Sequence, residues 1–273
     1  ESKYSSQKQG ADKILKQPAV PAAFFLPYLL YKWLIIIPTL LLSTFIIGSC
    51  IIFFCFVGKS DYASRKLAPF WARLNSFVSL IKVEVRGRNQ LKKNHSYVIA
   101  SNHLSMVDIY LLYGFTNLNI KWVMKNEIKK IPVLGLACKL MGHIYIDRSS
   151  TEHALASIHA AKKHIQQDTC IVFFPEGTRS RTSEVLPFKK GAFKMALDLA
   201  IPIVPVSIKN TNRIVPSDTM DWRPGSVSLT FHEPIEVVTT ADTIQLANQT
   251  RKIIIKALKE PETQQTAREY SQS

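Results

Sequence analysis

The sequence predicts an α/β domain, a mixed and largely parallel sheet flanked by helices, with an N-terminal membrane-embedded helical segment. Three observations point there. From Lys82 onward, seven short runs rich in β-branched and aromatic residues alternate with helical patterns. Those runs are apolar along most of their length, as in strands covered on both faces. Upstream, the 24 residues from Leu34 to Val57 carry no charge, and about 20 apolar residues cross a bilayer as a helix. The 273 residues carry 35 Lys and Arg against 20 Asp and Glu, a net charge of +15, yet 47% are hydrophobic. That combination excludes a disordered basic tail. The cation excess asks for an anionic partner, which is nucleic acid, lipid headgroups or a phosphorylated substrate.

Five segments follow in order. Residues 1–33 form a polar and interfacial segment, in which an apolar stretch from Ala19 to Tyr31 is broken by Pro21 and Pro27. Tyr28, Tyr31, Lys32 and Trp33 stand where an aromatic belt with a snorkelling lysine belongs. Residues 34–57 are the transmembrane or membrane-embedded helix, with a kink allowed at Pro38; a single span and a hairpin buried from one side both fit. The start of this run is too late, and the run too long, for a secretory signal. Residues 58–81 read as an amphipathic membrane-surface helix, with Leu67, Phe70, Trp71, Leu74, Phe77 and Val78 at spacings of three and four. An ordinary helix packed on the domain fits the same spacing. Lys59, Arg65, Lys66 and Arg73 favour a cytoplasmic side after the span, and Lys13, Lys16 and Lys32 oppose it.

Residues 82–260 are the α/β domain. Its strands are expected at 82–87, 97–101, 120–124, 143–147, 170–174, 201–208 and 227–232, and its clearest helices at Thr151–Gln167, Phe188–Leu199 and Ala241–Lys259. Residues 261–273 are a polar tail that should fray. The four cysteines have no CxxC spacing, and the seven histidines form no HxxxH or HExxH pair. Neither a disulfide framework nor a metal site is expected.

Four runs carry chemistry. In the first, Ser101-Asn102-His103-Leu104-Ser105-Met106-Val107-Asp108, a histidine just beyond a strand end precedes an aspartate by five residues. Asp108 closes a Ser105-x-x-Asp108 capping box in one reading. In the other it accepts a hydrogen bond from His103, fixing the tautomer and stabilising the imidazolium as His103 takes a proton. Spacing leaves both open. The second run, Gly142 to Arg148, ends a strand in Asp147-Arg148 before another capping box, Ser149-x-x-Glu152. The third, Phe174-Pro175-Glu176-Gly177-Thr178-Arg179-Ser180, offers a glycine for close backbone approach and a planar donor fork in Arg179 suited to phosphate, with Arg181, Lys189 and Lys190 nearby. Alone it also reads as a solvated polar loop. The fourth, Ile201 to Val206, contains Pro202 and Pro205, which suit an edge strand or a strand start.

Together, in this order and spacing, the four runs resemble the blocks of the glycerolipid acyltransferase family, of which the 1-acyl-sn-glycerol-3-phosphate (lysophosphatidic acid) acyltransferases are the main members. Asn102 to Asp108 is similar to the family's NHx4D motif. Lys125 and Glu127, ahead of Pro132 and Gly135, resemble a further Lys-x-Glu segment. The resemblance spans about Lys82–Ile208 and implies acyl transfer from an acyl thioester to the sn-2 hydroxyl of a lysophospholipid, making phosphatidic acid. It casts His103 as general base and Asp108 as its orienter. Glu176, Gly177, Thr178 and Arg179 are then the substrate-binding loop, with Arg179, Gly177 and Thr178 on the acceptor's phosphate, Lys125 and Arg148 as second cations, and Glu176 organising the loop. The acyl group would arrive on acyl carrier protein or coenzyme A as co-substrate, with no other cofactor. A thioester is already activated, so one base suffices without a covalent nucleophile.

Rival readings are weaker. The sequence has no GxSxG elbow and no GxxxxGK[ST] loop, and its aromatics sit in apolar runs rather than between cations, against nucleic acid. A lyso-ornithine lipid acyltransferase is the alternative within the family, and a non-catalytic basic membrane-binding protein the alternative outside it. Between Asp61 and Ala100 eight cations face two anions, a charge expected to meet anionic headgroups of the membrane lipid. The location expected is a bacterial inner membrane with the domain on the cytoplasmic side.

Overall fold

The computed structural model describes residues 22–92, 94–147, 157, 168–182, 184–238 and 242–260. Arg148, the capping box at 149–152, almost all of the helical pattern at 151–167 and the 261–273 tail lie outside the described residues. The seven expected strands are all present: β1 (Ile81–Arg86), β2 (Val98–Ser101), β3 (Asn119–Lys125), β4 (Ile144–Ile146), β5 (Thr169–Phe173), β6 (Ile203–Lys209) and β7 (Gly225–Phe231). They form one sheet in the order β1-β7-β6-β2-β5-β3-β4. Every pairing is parallel except β6 with β7. Parallel pairing sends the carboxyl ends of β2, β5, β3 and β4 to one edge, where open α/β sheets hold their sites.

Residue alternation along the strands divides the core in two. Ile99, Cys170, Val172 and Val204 face one layer, with Leu111 and Leu112, whereas Val98, Ala100, Ile171 and Ile203 face Phe193, Met195 and Leu246 in the other. The first layer holds α1 (Ala22–Tyr31), α2 (Ile37–Phe56), α3 (Ala68–Val78), α4 (Val107–Phe115) and α5 (Leu134–Leu140). The second holds α6 (Gly191–Leu199) and α7 (Thr243–Lys259), the latter capped by Asp242, whose carboxylate accepts from Ile244 N–H at 3.0 Å.

Pro205 departs from expectation, because β6 is paired on both sides. The antiparallel ladder to β7 begins one residue later, at Val206. Pro205 contributes only its carbonyl, which accepts from His232 N–H at 3.0 Å, so its missing N–H costs no ladder bond there.

The apolar segment is one helix over Leu26–Phe56, continuing through Pro27 and reaching further upstream than residue 34. A widened π turn, Lys32–Ile36, joins α1 to α2 just ahead of Pro38, and a second, Ala63–Leu67, precedes α3 and its Pro69. The proline ring collides with the carbonyl four residues earlier. Those carbonyls belong to Leu34 and Arg65, inside the two π turns, and widening the turn makes room.

Helices α2 and α3 run antiparallel. Asn75 Nδ2 donates to Ser43 Oγ at 3.0 Å, Trp71 Nε1 to Thr44 Oγ1 at 3.1 Å and the Tyr31 hydroxyl to the Val78 carbonyl at 2.9 Å. One stripe of α2, containing Ser43, Ile47, Gly48 and Ile51, is buried on the domain, while Leu41, Leu42, Phe45, Ile46, Phe53 and Phe56 on its other side are exposed. In α3 the buried face is the small one, Ala68, Ala72 and Ser76; Phe70 and Phe77 are exposed. The helix therefore packs on the domain through its small face and leaves large apolar side chains outside.

Two charged features differ from expectation. Lys32 is buried rather than snorkelling, because its ammonium turns to the Met220 carbonyl at 3.4 Å. Several cations of residues 61–100 are engaged by the protein itself, although Arg73 and Arg88 stay exposed. Arg65 binds Asp61 and Asp168, Arg86 binds Glu84, and Arg73 and Arg88 donate to the Gly114 and Phe115 carbonyls. Lys66, Lys82 and Lys92 are left exposed.

A buried histidine, His143, and a half-buried one, His232, set a pH limit on this fold. His143 takes the Trp122 N–H on Nδ1 at 3.3 Å and meets the Tyr113 hydroxyl through Nε2. Burial, with Lys121 adding to it, pushes its pKa down to about 3. His232 Nε2 lies 2.7 Å from Ser207 Oγ, and burial lowers its pKa to about 4. Unfolded, both would titrate near ~6.5, so below that pH unfolding takes up protons and stability falls as pH drops towards 4. Thermal melts should show Tm flat above pH 7 and falling between pH 6.5 and 4.5. His232→Asn should make the fall shallower, and an unchanged slope would contradict its source.

Candidate active site

The site is built where β2 and β5 end. At the end of β2 the chain turns away from its neighbour, and Asn102 covers the gap. Its fully buried amide donates to the Ile208 carbonyl at 2.9 Å and accepts from Ile208 N–H at 2.8 Å, continuing the pairing to β6 with a side chain. That fixes the exit angle of the next residue, His103.

His103 Nδ1 lies 2.8 Å from Asp108 Oδ2. The same oxygen accepts from the N–H groups of Leu104 at 2.7 Å and Ser105 at 3.0 Å. The capping and orienting readings of Asp108 are thus one arrangement. The carboxylate reaches back over the start of α4 as a capping residue does, and the oxygen that does so also meets the imidazole. The box is incomplete on its other arm, since Ser105 Oγ accepts from Val107 N–H at 3.3 Å and donates to the Val215 carbonyl at 2.7 Å. Asp108 is fully buried, whereas the His103 side chain is 16% exposed. An acceptor on Nδ1 assigns the ring proton there and leaves the Nε2 lone pair for a ligand.

The third run clamps the backbone of His103 from both sides. Glu176 Oε1 accepts from His103 N–H at 2.7 Å, Glu176 Oε2 accepts from Leu186 N–H at 2.9 Å, and Ser180 N–H donates to the His103 carbonyl at 2.8 Å. Burial pushes the Glu176 carboxyl up, opposed by those two backbone donors. Both its oxygens are occupied by the protein, which fits an organiser of the loop. Phe174 stacks on the imidazole, with ring centroids 3.8 Å apart and planes within 8°. Gly177 has φ +76°, and a Cβ there would lie 2.8 Å from Lys189 Nζ.

The remaining candidates are less tightly joined. Thr178 is exposed. Arg179 turns its Nη2 to Asp218 Oδ1 at 3.3 Å. Lys125 ends β3 on the same sheet edge, exposed and paired with Glu127 at 3.0 Å. Among the described residues no hydrogen bond or ion pair links Lys125 to the other candidates. Arg148 lies outside the described residues.

Sequence reasoning gave no role to Asn102, Phe174 or the Val215–Asp218 turn. Ser217 Oγ sits 3.0 Å from the Leu104 carbonyl and 3.2 Å from that of Ser180, tying the turn to both loops. Asn102 and Phe174 stood inside recognised runs, where their chemistry was visible but not their neighbours. The 215–218 turn lies 113 residues from Leu104 and 37 from Ser180, and has no local signal.

The described residues hold no group of three or more His, Cys, Asp or Glu able to bind a metal. Chemically, the arrangement presents an imidazole lone pair backed by a buried carboxylate, beside a loop with two guanidinium groups, Arg179 and Arg181.

Residues 82–209 match the family model described as Acyltransferase. The 1-acyl-sn-glycerol-3-phosphate acyltransferase of Saccharomyces cerevisiae is 32% identical over 209 residues, covering 75% of this chain and 69% of the yeast protein. The human alpha form is 31% identical over 212 residues, covering 77% and 75%. The chain belongs to the glycerolipid acyltransferase family. Against other relatives in that family the overlap is shorter. The chloroplastic 1-acyl-sn-glycerol-3-phosphate acyltransferase of Brassica napus is 32% identical, but the chain spans only 54% of its length, and about half that of the Arabidopsis thaliana protein. The acyltransferase fold itself is matched by the crystal structure of the 1-acyl-sn-glycerophosphate acyltransferase from Thermotoga maritima. Its TM-score is 0.68 at 25% identity, over 80% of this chain and 92% of that one.

The clamp on His103 gives a test that needs no substrate. Glu176→Gln keeps size but turns one acceptor into an NH2 group, leaving His103 or Leu186 N–H unpaired, at about 1–3 kcal/mol. Tm should fall by several degrees, and hydrogen exchange at one of those amides should speed up. Unchanged melting and exchange would mean that the clamp does not hold the loop.

Proposed function

We propose that this chain is a membrane-bound 1-acylglycerol-3-phosphate O-acyltransferase, moving a fatty acyl group from acyl carrier protein or coenzyme A to the sn-2 hydroxyl of 1-acyl-sn-glycerol-3-phosphate. The observation that carries this reading is the convergence of His103 Nδ1 and two backbone N–H groups on Asp108 Oδ2. It leaves one side chain free to take a proton, and its carboxylate partner is held by the backbone. In this mechanism the acceptor hydroxyl gives its proton to His103 Nε2 as its oxygen attacks the thioester carbonyl. The imidazolium forms against Asp108. The tetrahedral intermediate collapses, the C–S bond breaks, and His103 gives its proton to the departing sulfur, which leaves as the thiol and returns the imidazole to its neutral form. Arg179 binds the acceptor's phosphate, for which a planar fork of donors is suited, and Phe174 holds the imidazole plane.

The relatives, named as 1-acyl-sn-glycerol-3-phosphate acyltransferases, support the acceptor, and the exposed apolar stripe of α2 supports the membrane. A helix in contact with its own domain from Tyr31 to Ile51 cannot be wrapped by lipid on all sides over that length, which favours one-sided immersion over a free span. Exposed Lys59, Lys66, Lys82 and Lys92 support a cytoplasmic placement of the α/β domain at a bacterial inner membrane.

Two experiments test the reading. Purified protein is offered a panel of lysolipids with both donor types. Lysophosphatidic acid should turn over, and His103→Ala should lose at least about a hundredfold in kcat with folding and vesicle binding intact. Turnover of an acceptor without phosphate, with little on lysophosphatidic acid, would refute the acceptor; unchanged turnover by His103→Ala would refute the mechanism. Separately, Leu42→Asp with Ile46→Asp should release the folded protein from sedimenting vesicles, and retained binding would refute immersion of that stripe.

A further inference from the structure

The turn after β6 holds a carboxylate that neither the family blocks nor the mechanism uses. Asp218 Oδ1 lies 3.3 Å from Arg179 Nη2, and its Oδ2 lies 2.8 Å from Arg181 Nη2. It forks two guanidinium groups whose side chains are 35% and 80% exposed. Left to themselves, two like charges on an exposed loop diverge. The carboxylate sits where it does for backbone reasons. Asp218 is left-handed, φ +63°, which aspartate tolerates better than most residues. The preceding Ser217 hydroxyl lies within hydrogen-bond distance of the carbonyls of Leu104 and Ser180, next to His103 and Arg179 respectively. Two residues further, the Met220 carbonyl takes the buried Lys32 ammonium of the membrane helix. The turn is thus pinned to both site loops and to the apolar helix.

We infer that Asp218 is a positioning residue for substrate phosphate, holding Arg179 and Arg181 together as a two-guanidinium clamp for a phosphate monoester. This rests on the reading of Arg179 as the acceptor's phosphate ligand. Each arginine's ion pair to Asp218 runs through a single terminal nitrogen. A guanidinium has five N–H donors, so donors remain on each for a dianionic phosphate. With Asp218 the clamp carries a net +1, enough to attract a monoester dianion while keeping the pair from splaying. The attraction lost with the pair outweighs the repulsion between Asp218 and the phosphate, because an unheld Arg181 would return to solvent.

The test compares Asp218→Asn, Asp218→Glu, Arg179→Ala and wild type in the full-length, vesicle-bound protein, varying lysophosphatidic acid and acyl donor separately. Asp218→Asn should raise KM for lysophosphatidic acid about fivefold, the size expected for an exposed charge pair. Its kcat and donor KM should stay within about twofold and its Tm should be unchanged, and Asp218→Glu should recover part of the loss. A purely structural role would move Tm and kcat instead. A lower or unchanged acceptor KM in Asp218→Asn, while Arg179→Ala raises it, overturns the clamp and leaves the acceptor reading standing. If neither variant raises it, both fail. A rise confined to the donor's KM assigns the arginines to the donor's phosphates and overturns the inference.

Discussion

One carboxylate oxygen organises this protein. Asp108 Oδ2 accepts from two successive backbone N–H groups and meets the imidazole of His103, all within 3.0 Å. The backbone bonds make the turn between β2 and α4, and in the proposed mechanism the third contact orients the base. Folding and the proposed chemistry therefore draw on the same atom. Around it, each neighbour restrains His103 in a different direction. Asn102 fixes the strand exit, Glu176 and Ser180 hold the backbone, and Phe174 stacks on the ring. A residue restrained at its backbone, ring plane and Nδ1 suits the single proton transfer proposed for it.

The sheet explains why these pieces meet. A parallel sheet carries the ends of β2 and β5 to one edge, and their pairing puts His103 beside the Phe174–Ser180 loop. The first core layer then connects this edge to the apolar helix. Helix α4, which carries Asp108 in its first turn, packs with α3, whose Trp71 rests on Tyr110 and bonds to Thr44 in α2. Lys32 reaches the segment that carries Asp218. The apolar helix is thus a layer of the domain, and in the proposed reading also a surface for lipid. In the proposed reading this keeps the site at the level of a membrane-soluble acceptor.

Much of this was legible in the sequence because the signals are local. Seven apolar runs became seven strands, and NHx4D, FPEGTRS and their order marked the site's two loops. Legibility failed where the deciding partner is distant. Nothing near Lys32 announces the Met220 carbonyl, and the cations of residues 61–100 looked free until Asp168 and two backbone carbonyls took several of them. Pro205 looked like an edge marker because sequence does not say where an antiparallel ladder begins. The stripe of α3 that packs is the small one, since close helix approach prefers Ala and Ser; apolar periodicity picks out the large residues instead.

The central claim is that the charge on Asp108, delivered through one oxygen, makes His103 a base. Asp108→Asn tests it, since an amide oxygen in the place of Oδ2 keeps both backbone bonds and the imidazole contact, while the charge is removed and an NH2 group takes the place of the buried Oδ1. The measurement is kcat for acyl transfer to lysophosphatidic acid by the folded variant, with its melting curve alongside. The account predicts a loss of about a hundredfold or more with Tm within a few degrees of wild type. Turnover within a few-fold of wild type would contradict it.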